Sequence, residues 1–107
     1  MPWLVLVTAG LLEIVWAIAM KQSQGFTRPV PSLITVLALV ASMGLLAWSL
    51  RTLPVGSAYA VWVGIGAAGT AIVGMLALGE PVTAPRIVCL VVLLGAIVGL
   101  RLTTPTP

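Results

Sequence analysis

The chain has 107 residues, of which 61% are hydrophobic and 7% carry a charged side chain, and its formal net charge is +3. Soluble domains carry about 25% charged residues, so the composition indicates one membrane domain, and the singly scattered basic residues exclude a nucleic-acid-binding surface. Histidine is absent and Cys89 is the lone cysteine, which excludes triad catalysis, a disulfide framework and a Cys/His metal site. We therefore predict a non-enzyme with no metal and no cofactor.

Hydrophobic runs predict four transmembrane helices, which in chain order cover residues 3–20, 32–50, 54–79 and 86–102. The short connections between them hold turn-forming residues, namely Gly25, Pro29, Pro31, Pro54 and Pro81. The fourth run spans a membrane if Arg86 and Arg101 extend outward to the two interfaces, because its uncharged part is short. The predicted fold class is an all-α integral membrane protein with a single four-helix domain.

The first helix carries one charged residue, Glu13, which is ten residues beyond Trp3. At ~1.5 Å per residue it lies roughly 15 Å deep, near the mid-plane of the membrane. A carboxylate there costs about 2.5–3.5 kcal/mol on insertion scales, and such residues usually bind protons, ions or substrate. Trp16 lies on the same helical face and its buried indole needs a partner. The alternative is a structural carboxyl, protonated and hydrogen-bonded between helices.

The second helix places Ser42 at about the same depth as Glu13. Its hydroxyl is expected to donate a hydrogen bond to the carboxylate. The alternative is a hydrogen bond to the backbone of its own helix, which is common for serine in membrane helices.

The third helix carries Tyr59 and Trp62 on the face that also bears Gly66. Aromatic rings beside a carboxylate suit a cation, through charge pairing and cation–π attraction; the alternative is packing of the rings against lipid or neighbouring helices. Gly64, Gly66 and Gly69 lie in mid-membrane, where they predict a conformational hinge for an alternating-access cycle. Tight helix packing explains the same glycines equally well.

The fourth helix contains Gly95 and Gly99, a G-x-x-x-G pair that predicts a dimerisation face. The basic residues favour neither orientation of the chain. Arg51, Arg101 and the α-amino group lie on one side, and they balance the cations on the other side, which are Lys21, Arg28 and Arg86. We therefore predict insertion in both orientations. An inverted pair would enclose two copies of the residues predicted to form the site, which are Glu13, Trp16, Ser42, Tyr59 and Trp62.

Three runs of sequence resemble the small multidrug resistance family. They are GLLEIVWAIAMK from Gly10 to Lys21, GFTR from Gly25 to Arg28, and LPVGSAYAVWVGIG from Leu53 to Gly66. The resemblance covers nearly the whole chain. Trp16 after Glu13 is typical of the guanidinium-exporter branch, because the aromatic-cation multidrug branch has glycine at that position.

The resemblance implies an antiparallel, dual-topology homodimer in the bacterial cytoplasmic membrane. It implies a proton-coupled antiporter that exports guanidinium and small guanidinyl or quaternary ammonium cations. Glu13 would bind proton and substrate in turn, and Trp16, Ser42, Tyr59 and Trp62 would line the site. The expected partners are the cation, protons, lipid and a second, inverted copy. The alternatives are a broad quaternary ammonium exporter and a non-transporting membrane subunit whose buried carboxyl is structural.

Overall fold

The computed structural model describes residues 2–104, and within that range it forms four α-helices joined by short connections. The helices are α1 (Pro2–Gln22), α2 (Pro29–Ser49), α3 (Val55–Ala77) and α4 (Ala84–Thr103). Each has 20 to 23 residues and is apolar enough to cross a membrane. The described residues form no strand. The prediction of an all-α membrane fold with four spans is confirmed.

The bounds of α2 and α3 differ from the expected runs at residues with constrained backbones. α2 begins at Pro29, three residues ahead of the expected start, because proline fits the first turn of a helix, where its missing N–H is not needed. α3 ends at Ala77, and the chain then turns at Gly79, whose φ of +72° favours glycine. The N–H groups of Leu78 and Glu80 both donate to the Gly74 carbonyl and close this end of the helix.

Both arginines that flank the fourth hydrophobic run lie inside α4, near its two ends. At the start, the Thr83 side chain accepts a hydrogen bond from the backbone N–H of Arg86 and caps the helix. At the other end, the Arg101 guanidinium lies 4.7 Å from the centre of the Trp3 ring. Because α4 includes both arginines, it has 20 residues, which is enough to span the hydrocarbon.

The four helices form a flat layer rather than a closed bundle. α1 packs against both α2 and α3, and α4 packs along α3, so the spatial order is α2, α1, α3, α4. The principal extents are 42 × 34 × 17 Å. Among the described residues of α4, only Ile97 is buried within the chain. The layer therefore leaves two broad, mainly apolar faces for lipid or for another protein.

Glycine residues allow the helices of this layer to approach one another closely. A Cβ atom on Gly10 of α1 would lie 2.9 Å from the Cβ atom of Ile65 on α3. A Cβ atom on Gly64 would lie 2.7 Å from Ile97 of α4, and one on Gly69 would collide with Ile14 of α1. These separations are too short for carbon atoms, so the crossings depend on the missing side chains.

The glycines predicted to form a hinge are packed against other helices, whereas those predicted to form a dimerisation face are not. Gly64 and Gly69 pack against neighbouring helices within an α3 that is continuous over its whole length, so the structure gives them a packing role. Gly95 and Gly99 of α4 have open space within 4 Å of their added Cβ positions. The hinge and the dimerisation face stay predictions.

We predict that Gly10→Ala destabilises the chain by about 1–3 kcal/mol, the usual cost of adding a methyl group to a packed crossing. The Ile65 atoms in the way are bonded close to the backbone, so the helices themselves have to separate. Unfolding in mixed detergents measures this change. Gly56→Ala is the matched control, since Gly56 is exposed and has nothing within 4 Å. Equal stability of the two variants would contradict close packing at Gly10.

Candidate functional site

A cavity of about 390 Å³ lies between α1, α3 and the start of α4. Its polar lining combines the two acidic residues of the chain, an arginine, a tryptophan and a threonine. The lining residues are Glu13, Trp16, Ala17, Val63, Gly66, Ala67, Thr70, Ala71, Glu80 and Arg86. Along α1 and α3 these positions run from mid-helix toward the end that faces the α3–α4 connection. The cavity thus leads from the level of Glu13 to the end of the helices at which the α3–α4 connection lies.

Glu13 occupies the inner end of this cavity, directly against the backbone of Gly66. Any side chain at Gly66 would collide with the Glu13 carboxylate, so glycine is required for the helices to meet here. The Glu13 Oε1 atom and the Trp16 Nε1 atom are both buried, and neither has a hydrogen-bond partner within the described residues. Burying such groups unpaired is costly. The Glu13 oxygen is therefore available to a proton or to a ligand that donates a hydrogen bond.

Ser42 and Trp62 form a hydrogen-bonded chain beside the cavity rather than part of its lining. The Trp62 indole Nε1 donates to Ser42 Oγ at 3.0 Å, and Ser42 Oγ donates to the Ala9 carbonyl at 2.7 Å. Ser42 is fully buried and Trp62 is 6% exposed. The structure therefore does not show the expected hydrogen bond from Ser42 to Glu13, because the single hydroxyl proton is used on Ala9.

This chain of hydrogen bonds nevertheless reaches Glu13 through the backbone. In an α-helix, the carbonyl of residue 9 also accepts a hydrogen bond from the N–H of residue 13. The Ser42 hydroxyl therefore connects α2 to the turn of α1 that carries Glu13. The Trp62 indole connects α3 to the same hydroxyl. The role that the structure supports for Ser42 and Trp62 is to position that turn.

Tyr59 does not line the cavity that contains Glu13. Its ring centre is 5.6 Å from that of Trp62, with the planes tilted by 54°, and the residue is 54% exposed. It is seven residues before Gly66 on α3, which corresponds to roughly 10 Å along the helix axis. Within one chain, the structure brings Glu13 and Trp16 together in the cavity but does not bring Tyr59 to it.

Three polar residues of the cavity were not predicted as site residues from the sequence: Thr70, Glu80 and Arg86. Thr70 follows Gly66 by one helical turn, so helical spacing from Gly66 was a usable signal. Glu80 and Arg86 form an ion pair, with Arg86 Nη2 3.1 Å from Glu80 Oε1. Their place in the cavity depends on the turn at Gly79, which no helical periodicity encodes. The presence of a second acid in so apolar a chain was the available signal.

Comparison with known proteins gives an independent line of evidence. The sequence profile described as Small Multidrug Resistance protein matches residues 1–93. The chain belongs to the small multidrug resistance family. With its four membrane-spanning helices, this member of the family is a multi-pass protein of the bacterial inner membrane.

Named relatives of this small multidrug resistance protein cover almost its entire length. It is 54% identical over 104 residues to the guanidinium exporters of Citrobacter freundii and Salmonella typhimurium. It is 53% identical over 104 residues to the guanidinium exporter of Escherichia coli strain K12. Each alignment covers 97% of this chain and 99% of the relative. The resemblance identified from the sequence runs is confirmed at the level of the family.

We predict that Ser42→Ala destabilises this family member by about 1–3 kcal/mol, because the Trp62 N–H is then buried without an acceptor. The indole ¹H–¹⁵N signal of Trp62 should shift upfield as its hydrogen bond is lost, and denaturation should occur at lower denaturant. Ser32→Ala is the control, since that hydroxyl donates to the Arg28 carbonyl of its own helix turn. An unchanged Trp62 signal in Ser42→Ala would show that the hydroxyl is not its acceptor.

Proposed function

We propose that the protein exports guanidinium, together with small guanidinyl or quaternary ammonium cations, in exchange for protons. Glu13 is the residue that binds the cation and the proton in turn. The observation that carries this proposal is the Glu13 carboxylate at the inner end of an open cavity, with one buried oxygen that lacks a hydrogen-bond partner. The names of the relatives, which are guanidinium exporters, support the choice of cation.

The lining of the cavity matches the chemistry of guanidinium. This planar cation presents pairs of N–H donors that suit a carboxylate, so it can satisfy the buried Glu13 oxygen. The Trp16 ring lines the same space and can attract a cation through its π face. The other walls are largely aliphatic, formed by Ala17, Val63, Ala67 and Ala71. Alkyl substituents on a guanidinium or ammonium group can contact these walls without burying a further polar group.

Exchange follows from competition for one carboxylate. A buried Glu13 without a counter-charge is unfavourable in the membrane, so it is stable with either a proton or a cation bound. If the empty, ionised form rarely changes its access, a cation moves outward only in exchange for protons that move inward. A dimer contributes two carboxylates. Exchange of two protons for one monovalent cation is then electrogenic.

The geometry of the layer supports assembly with a second, inverted copy. The cavity is lined by residues of α1, α3, the α3–α4 connection and the start of α4, and by none of the described residues of α2. One flat layer therefore walls the cavity on one side only. Inversion would place Trp62 of a second copy on the side of the mid-plane where Trp16 of the first lies. The open surface at Gly95 and Gly99 is available for helix contact, and Gly64, Gly66 and Gly69 are proposed to flex during the cycle.

Guanidinium uptake into proteoliposomes under an imposed pH gradient tests the proposed function. Wild type should accumulate guanidinium against its gradient when protons leave the vesicle interior. Glu13→Gln should reduce uptake at least ~100-fold, since removing a group that acts in the transport step itself costs several kcal/mol. Glu13→Asp keeps the carboxylate and is expected to retain measurable exchange.

Protein-free vesicles and the elution profile of each variant serve as controls. Wild-type protein that elutes normally yet moves neither guanidinium nor a small ammonium ion would contradict transport and favour a structural carboxyl. Uptake that persists in Glu13→Gln would remove Glu13 from the mechanism.

Orientation can be tested by shifting the charge balance. Gln22→Lys with Arg51→Gln adds a cation on one side and removes one from the other, which gives an excess of two, and Thr52→Lys with Arg28→Gln gives the opposite excess of two. Each double variant should insert predominantly one way and confer little resistance to guanidinium in cells. Co-expression of the two should restore resistance, because opposite copies can pair. Full resistance from either variant alone would argue against an inverted dimer.

A further inference from the structure

The outer part of the cavity contains a carboxylate that is already paired with a guanidinium group. Glu80 lies in the connection between α3 and α4, and Arg86 lies in the first turn of α4. Arg86 Nη2 donates to Glu80 Oε1 at 3.1 Å, and both residues line the cavity that holds Glu13. The proposed substrate has the same functional group as the arginine side chain. Glu80 is thus occupied by a tethered analogue of that substrate.

We propose that Glu80 is an outer binding site for guanidinium, from which the incoming cation displaces Arg86 before it reaches Glu13. This inference rests on the proposed function. It makes Glu80 the first residue that the cation contacts on the transport path, and a site that selects guanidinium over quaternary ammonium. Arg86 acts as a built-in competitor for the carboxylate.

The ion pair has the features of an exchangeable contact. The Arg86 side chain is 35% exposed and that of Glu80 is 41% exposed, so both groups are partly hydrated. Such pairs contribute little net stability, because water screens the charges and two long side chains must be held in place. A single N–H···O hydrogen bond joins them. A free guanidinium can turn to offer two parallel N–H groups to the same carboxylate, which is the stronger arrangement.

Both members of the ion pair are fixed at their backbones. The Glu80 N–H donates to the Gly74 carbonyl, and the Glu80 carboxylate lies close enough to Gly74 to exclude a side chain there. Arg86 is fixed at its backbone by Thr83, and its long side chain reaches Glu80 through one hydrogen bond. Loss of the side-chain hydrogen bond therefore leaves the backbone hydrogen bonds of both residues in place.

A continuous lining connects the two carboxylates. Between Glu80 and Glu13 the cavity wall is formed by successive residues of α3, including Thr70, whose hydroxyl can accept an N–H from a passing cation. Each site on this route offers an oxygen acceptor. A quaternary ammonium ion has no N–H to donate, so it cannot replace the hydrogen bond that Arg86 makes to Glu80. The outer site therefore favours guanidinium over quaternary ammonium at the entrance.

Concentration-dependent guanidinium uptake by proteoliposomes tests this role with two single variants. Glu80→Gln removes the acceptor and should raise KM about three- to fivefold, with kcat little changed. Arg86→Gln removes the competitor and should lower KM by a similar factor of about three to five. The two variants break the same ion pair. A pair that only braces the loop would shift KM in the same direction in both, and that result would overturn the proposal.

Arg28→Gln is the matched control for Arg86→Gln. Both substitutions remove one cation from the same side of the membrane, so they alter surface charge and orientation bias equally. Arg28 does not line the cavity, and its substitution should leave KM unchanged. If Arg28→Gln lowers KM as much as Arg86→Gln does, the effect belongs to surface charge and the proposal fails.

Displacement of Arg86 can also be observed in protein without either substitution. Guanidinium titrated into protein labelled with ¹⁵N-arginine should move the Arg86 side-chain signal toward that of exposed Arg28. The same shift should occur in Glu13→Gln, since Glu80 binds the cation without Glu13. Absence of any Arg86 shift at saturating guanidinium would falsify the outer site. A shift in Glu13→Gln together with no transport by wild type would instead reject the proposed function and retain the site.

Discussion

The structure depends on one close contact, the packing of the Glu13 carboxylate against the bare backbone of Gly66. A charged side chain in the middle of a membrane helix has to be removed from lipid, and here the neighbouring helix comes near enough to cover it. That approach requires small residues along both helices, and Gly10 and Gly69 provide them on either side of Glu13. The crossing of α1 and α3 is thus arranged around the carboxylate, and the cavity is the space that this crossing leaves open.

The remaining helices play unequal parts around this crossing. α2 packs along α1 and supplies Ser42, whose hydrogen bonds with Ala9 and Trp62 join three helices at one buried point. α4 packs on α3 and contributes Ile97 to the core and Arg86 to the cavity. A four-helix chain arranged as a layer cannot surround a cation by itself. The same thinness that exposes the cavity makes it accessible to a second copy.

A carboxylate that faces a cavity at Glu13 could be predicted from sequence, because the cost of placing a charge in the membrane is independent of detailed structure. Any fold that spans a membrane with the run around Glu13 has to account for that charge, and Trp16 follows on the same face by helical spacing. The four spans follow from hydropathy in the same way. The hydrogen-bond acceptor of Ser42 could not be predicted. Its depth in the membrane is compatible with both the Glu13 carboxylate and the Ala9 carbonyl one turn earlier on α1, and the rotation of α2 about its own axis determines which of them the hydroxyl reaches.

The outer part of the cavity was beyond prediction for a different reason. Glu80 and Arg86 are brought together by a turn with one glycine at positive φ, and the geometry of that turn is not encoded in a helical repeat. The glycines of α3 were open to two interpretations because close packing and bending require the same absence of a side chain. Their neighbours in space, such as Ile14 and Ile97, identify packing, and sequence spacing within one helix contains no information about them.

The hydrogen bonds that join Ser42, Trp62 and Ala9 have a further consequence for the proposed exchange of charge at Glu13. A hydroxyl, an indole and a peptide carbonyl all stay neutral over the range in which a carboxyl group titrates. The groups that hold the Glu13 turn therefore do not titrate together with the carboxyl group. In the proposed exchange the carboxyl group changes its charge, and the groups that position it carry none.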